Sequence, residues 1–66
     1  MTDNNLKKLR TDAGLSQSKL AEASGVNPRM IQYYEQGARD INKAEALTVY
    51  RLAQALGCNM EDLLKV

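Results

Sequence analysis

The chain has no histidine and a single cysteine, Cys58. One thiol forms no internal disulfide, and without histidine or a second cysteine no metal site is expected, which makes an intracellular compartment the default. Cys58 reads as a small buried apolar residue. No apolar run approaches the roughly 18 residues that span a membrane, and the opening MTDNNLKK has no hydrophobic export core. A cytoplasmic protein with no membrane partner is expected. There are no paired carboxylates converging on a pocket, no reactive cysteine setting and no glycine loop that cradles phosphate. The chain is therefore not expected to be an enzyme, and no cofactor or small-molecule ligand is anticipated. Repeats, low-complexity tracts and β-alternation are also missing.

A strong charge of either sign is lacking too: 9 basic and 8 acidic residues leave a net +1, with 26% of the chain charged. That is not the balance of a non-specific nucleic-acid binder. The distribution is slightly uneven. Residues 2–26 carry four basic and three acidic residues, 27–39 two and one, and 40–66 three and four. The 66 residues make one small domain, 1–66, at a size where core packing supplies only a few kcal/mol.

What is present is organised around residues 16–37, SQSKLAEASGVNPRMIQYYEQG. Ser16 is a good N-cap for a helix over 17–24, with Leu20, Ala21 and Ser24 on one side. Gly25 supplies a left-handed ending, Val26 plugs the corner, and Asn27-Pro28 restarts the chain as a cap followed by proline at the first helical position, opening a helix over 28–36. Two short helices about a glycine turn have the outline of a helix-turn-helix. In the second of them Ile31, Tyr34, Glu35 and Asn27 share the inward side. Arg29, Tyr33 and Gln36 repeat at i, i+4 and i+7 on the opposite stripe, with Gln32 beside them and Met30 on the flank. Such a stripe suits the donors, acceptors and methyl groups of base edges, and serves equally as an ordinary solvated face.

The flanking segments read as helices as well. Leu6, Leu9 and Ala13 place a first helix over 4–13, starting at Asp3 or Asn4, ended by Gly14 with Leu15 as the apolar contact of the cap. Arg10 lies on the same inward arc, where a guanidinium needs a partner, and inward-facing Glu35 is the candidate. After Gly37 the run ARDINK is a loop with a basic residue near each end, Arg39 and Lys43. Asn42 and Glu45 have the spacing of a capping box that opens a helix over 43–56, at Lys43 or Ala44. Its inward face is Ala46, Val49, Leu52, Ala53 and Leu56, with Leu47 and Tyr50 less buried. Gly57 ends it, and Asn59 caps a last helix over 60–65, with Glu61 and Asp62 near its positive end. All four glycines stand at helix ends. The fold class is all-α, with five helices.

The segments LRTDAGLSQSKLAEASGV, IQYYEQG and LAQALGCNMEDLL resemble the Cro-type, lambda-repressor-like helix-turn-helix family (XRE family). The likeness spans residues 6–64 and rests on a many-point framework, not one motif. It implies a five-helix lambda-repressor-like domain whose helices 2 and 3 form the helix-turn-helix. It also implies sequence-specific binding to double-stranded DNA, with helix 3 in the major groove, and control of transcription as a dimer on a two-fold operator. By the same resemblance Gln17 grips a phosphate and supports the reading helix, while Asn27, Pro28, Arg29 and Tyr33 face bases, joined by outward Gln32. Gln36 and Lys43 lie against the backbone, and the Arg10–Glu35 pair has a counterpart.

Three departures qualify the likeness. Pro28 stands where relatives often carry a hydrogen-bonding side chain, Lys19 replaces a common acidic residue and adds a charge near DNA, and Ala38 replaces a frequent basic one. Arg39 and Lys43 become the main charged phosphate ligands. A weak homodimer, strengthened on DNA, is expected, with Tyr50, Met60, Leu64 and Val66 as candidate contacts. The alternative is an antitoxin or prophage adaptor whose Met30 and Tyr33 surface meets another protein.

Overall fold

The computed structural model describes residues 5–64. Among the described residues five α-helices run in order: α1 Leu6–Asp12, α2 Gln17–Ser24, α3 Pro28–Gln36, α4 Ala46–Leu56 and α5 Met60–Leu63, with one turn of 3-10 helix at Ile41–Lys43 between α3 and α4. There is no strand among the described residues. Every element sends at least one apolar side chain into one core: Leu6 from α1, Leu20 from α2, Ile31 and Tyr34 from α3, Ile41 from the 3-10 turn, Val49, Leu52 and Ala53 from α4, and Leu63 from α5. α2 packs against both α3 and α4, α5 lies on α4, and α1 on α3. Leu15 and Val26 plug the two corners on either side of α2.

Local cap chemistry sets the helix-turn-helix. The Ser16 hydroxyl accepts the Lys19 N–H at 3.1 Å to start α2, and Asn27 Oδ1 accepts the Arg29 N–H at 2.8 Å to start α3. Between them Gly25 has φ of 74° and donates its N–H to the Ala21 carbonyl at 2.8 Å. Ser24, buried at the end of α2, donates to the Leu20 carbonyl at 2.7 Å and accepts the Val26 N–H at 3.2 Å, tying the turn back to its helix. A Cβ at position 25 meets no atom within 4 Å, so an alanine there suffers from its backbone conformation alone. Gly25→Ala is expected to cost about 1 kcal/mol, read as a lower urea midpoint at unchanged slope. A loss above about 3 kcal/mol would reveal a clash that this geometry lacks.

The segment after α3 departs from expectation. α4 opens at Ala46, not at Lys43 or Ala44, and residues 41–43 form the separate 3-10 turn. Asp40 caps that turn by accepting the Asn42 N–H at 2.9 Å, and Ile41 is only 3% exposed. Sinking Ile41 into the core fixes the chain direction there, so Asn42 falls inside the turn and Glu45, instead of closing a capping box, occupies the N-cap of α4 without a side-chain bond. Ala46 is consequently exposed in the first turn, and the inward face begins at Val49.

Smaller differences lie at the ends. α1 stops at Asp12, leaving Ala13 as an exposed C-cap and not a core residue. Its expected start at Asp3 or Asn4 lies outside the described residues, within which Asn5 is the N-cap. α5 closes at Leu63 because Leu64 turns extended, short of the expected end at Lys65, itself outside the described residues. Asp62 accepts the Asn59 N–H at 2.9 Å, and Asn5 Nδ2 donates to the Asp62 carbonyl at 3.0 Å, joining the start of α1 to α5.

Candidate nucleic-acid interface

α3 buries Ile31, Tyr34 and Glu35, and exposes Arg29, Gln32 and Gln36 with Pro28 at its start; Asn27, expected on the inward side, is exposed as well, because the N-cap backbone is not helical and the helical period does not extend to it. Nine residues with that division present one polar side to solvent while the other is sealed against α1 and α2. Tyr33 is half-buried at the edge of the exposed side.

Two hollows flank the helix. One, about 370 Å³, is lined by Gln17, Ser18, Asn27, Pro28, Arg29 and Gln32, which brings the start of α2 beside the start of α3. Four of the five residues expected to read bases meet there with Gln17. Ser18 was not expected; its place in the first turn of α2, beside Gln17, is the signal that could have found it. The second hollow, about 470 Å³, lies on the other flank, where Arg39 and Lys43 meet Met30, Tyr34 and Glu45. Lys19 and Gln36 are exposed outside both, and Lys19 Nζ lies 3.9 Å from Glu22 Oε2. With both side chains open to water, that pair contributes little.

Beneath the surface a charge network holds α3 in place. Arg10 grips Glu35 with both arms, Nε to Oε2 at 2.6 Å and Nη2 to Oε1 at 3.0 Å, and its Nη1 donates to the Leu15 carbonyl at 2.8 Å. Side-chain exposures of 11% for Arg10 and 3% for Glu35 remove the pair from solvent. The hydrogen bond to Glu35, helped by the carboxylate's charge, raises the Arg10 pKa against the opposing pull of burial. Gln17 completes the network: its Nε2 donates to Glu35 Oε1 at 3.1 Å. An amide nitrogen carries two hydrogens, so this bond fixes the Gln17 side chain and leaves one donor for the hollow.

Two further contacts bear on the exposed side. The Arg39 guanidinium carbon lies 5.9 Å from the centre of the Tyr33 ring. On the outer side of α4, Leu47 and Tyr50 are 54% and 50% exposed. Met60 and Leu64, expected as dimer contacts, are half-buried against the core, and Val66 lies outside the described residues. Cys58 is half-buried, and burial followed by the charge of Asp62 pushes its thiol pKa up, away from thiolate chemistry. No helix among the described residues is long and apolar enough to cross a membrane.

A capped helix pinned by its buried side onto a second helix across a glycine turn, its polar side free, defines a helix-turn-helix domain. The helix-turn-helix family profile matches residues 6–63. Among solved structures, the chain is similar to the restriction-modification controller protein C.AhdI from Aeromonas hydrophila, at 33% identity over 91% of this chain and 86% of that one, with a TM-score of 0.80. A search of curated proteins finds no match. The chain belongs to the XRE-type helix-turn-helix family of DNA-binding transcriptional regulators.

Proposed function

We propose that the protein is a sequence-specific regulator, acting as a repressor, that inserts α3 into the major groove and binds a two-fold operator as a homodimer. The observation that carries this reading is the exposed polar side of α3, with Arg29, Gln32, Asn27 and Pro28 gathered beside Gln17 around one hollow. Arg29 pairs with guanine O6 and N7, Gln32 and the Asn27 amide address adjacent bases, and Pro28 offers only apolar contact, as to a thymine methyl. Gln17 gives its remaining N–H to a phosphate, held on target by Glu35. Gln36, Arg39 and Lys43 supply the rest of the backbone contacts, with Lys19 as a charge near DNA. The similarity to a controller protein supports a regulatory role.

One reading helix covers too few base pairs to select a genomic site, so two copies on half-sites one helical turn apart are needed. Leu47 and Tyr50, one turn apart on the outside of α4, are the surface offered to the second copy. So small an apolar patch supports weak association in solution, strengthened on the operator.

Selection of binding sites from a randomised duplex pool tests the reading. A two-fold motif is the expected result, and failure to enrich any motif contradicts it, leaving protein interaction as the primary role. On the selected duplex, Gln17→Ala is expected to weaken cognate and scrambled sequences alike, since phosphate contacts carry no base information. With Arg39 and Lys43 as the charged phosphate ligands of each protomer, a dimer neutralises about four phosphates and log K against log salt has a slope of about −3 to −4. A slope twice as steep would expose a further basic surface, such as Lys7, Lys8 and Lys19.

A further inference from the structure

We infer that Tyr33 is a positioning residue for Arg39, holding its guanidinium ready for the DNA backbone, and that Tyr33 does not itself read a base. The inference rests on the DNA-binding reading above.

Tyr33 holds Arg39 twice. At the end of α3, Gly37 takes φ of 77° and turns the chain back, so that the Tyr33 carbonyl accepts the Ala38 N–H at 2.9 Å and the Arg39 N–H at 3.3 Å. The ring of the same tyrosine then lies beneath the Arg39 guanidinium, 5.9 Å from centroid to Cζ. Main chain and side chain of Arg39 are thus both referred to one residue of the reading helix. A cation over a ring face is attracted by the ring quadrupole, and the attraction leaves the in-plane N–H donors of the guanidinium unused. Those donors match the paired oxygens of a phosphate.

The surroundings agree with this assignment. Arg39 is exposed, and an exposed arginine is otherwise free to sample many rotamers, all but a few of which are lost on binding. Attraction to the Tyr33 ring, 5.9 Å from its centroid, restricts that freedom in advance. Of the residues that line one hollow, Arg39 and Lys43 are cationic and Glu45 anionic, so the lining carries a net positive charge. Tyr33 for its part is half-buried, whereas Arg29 and Gln32 stand fully out from the helix. One face of its ring is turned toward Arg39, which leaves it less free than they are to reach a base edge.

The experiment compares the parent with Tyr33→Phe, Tyr33→Leu, Arg39→Gln and the Tyr33→Leu/Arg39→Gln double variant. In the free proteins, the side-chain protons of Arg39 are expected to show an upfield ring-current shift in NMR spectra of the parent and of Tyr33→Phe, lost in Tyr33→Leu. On the duplex selected by the parent, Tyr33→Phe stays within about twofold of parental affinity. Tyr33→Leu loses roughly two- to fivefold per bound protomer, on selected and scrambled duplexes alike. In the Arg39→Gln background the same replacement costs nothing more, and the selected motif is unchanged throughout. Thermal midpoints confirm that each variant is folded.

Absence of the ring-current shift overturns the inference without reference to DNA. So does a Tyr33→Leu variant that selects a different motif, or one that loses as much without Arg39 as with it, for then Tyr33 acts on a base directly. A parent that selects no motif contradicts the DNA-binding reading instead, and removes the backbone as the target of Arg39.

Discussion

Glu35→Ala is expected to unfold the domain or bring it to the edge of unfolding. The carboxylate is 3% exposed and accepts three hydrogen bonds, two from Arg10 and one from Gln17. Removing it leaves the Arg10 guanidinium, itself 11% exposed, with only the Leu15 carbonyl as a partner among the described residues. Breaking a buried pair on one side costs about 3 to 5 kcal/mol, because the remaining charge stays desolvated. A single core in a chain of this length supplies a margin of similar size. At this size each kcal/mol lowers the melting midpoint by about 4 to 8 °C, so a fall of well over 10 °C, or no cooperative transition at all, is expected from thermal unfolding. A midpoint within a few degrees of the parent would mean that the network does not hold α1 and α3 together as described. The effect also reaches the surface, since Glu35 orients Gln17 at the rim of the reading hollow.

Arg29→Ala is expected to leave the fold intact and to erase one element of sequence preference. The Arg29 side chain is exposed, and the cap at the start of α3 uses its backbone N–H, which alanine retains, so the thermal midpoint changes little. A bidentate arginine on guanine discriminates by about 1 to 3 kcal/mol against the wrong base pair. Because a two-fold operator presents the contact twice, and well-separated positions add, the cognate duplex loses roughly 2 to 6 kcal/mol while scrambled duplex loses far less. Competition binding against duplexes altered at single positions measures this. An equal loss on cognate and scrambled DNA would show that Arg29 touches phosphate only.

The parts of this structure governed by neighbours in sequence were legible in the sequence. α2 and α3 have the expected bounds because Ser16, Gly25, Asn27-Pro28 and Gly37 each act within one turn of where they stand. The meeting of Arg10 with Glu35 was legible for a different reason: a charge on an inward arc must find its opposite, and few were available. Tertiary burial governs the rest. Ile41 lies in a polar run, and nothing in ARDINK says that its side chain is a core residue, so the 3-10 turn and the later start of α4 were missed. Ala13 and Ala46 fit a core or a surface equally well, and their exposure is decided by where the helices end. The Gln17 bond to Glu35 and the placement of the Arg39 guanidinium over the Tyr33 ring depend on how the chain returns across a turn, which side-chain periodicity does not encode.

Sequence-specific binding as proposed requires that the exposed side of α3 enter the major groove. Methylation interference on the selected duplex tests it directly, because guanine N7 lies in the major groove and adenine N3 in the minor. A methyl group on N7 of one guanine in each half-site is expected to abolish binding in the parent and to have little effect on Arg29→Ala. Binding indifferent to N7 methylation and blocked by methylation of N3 would contradict it.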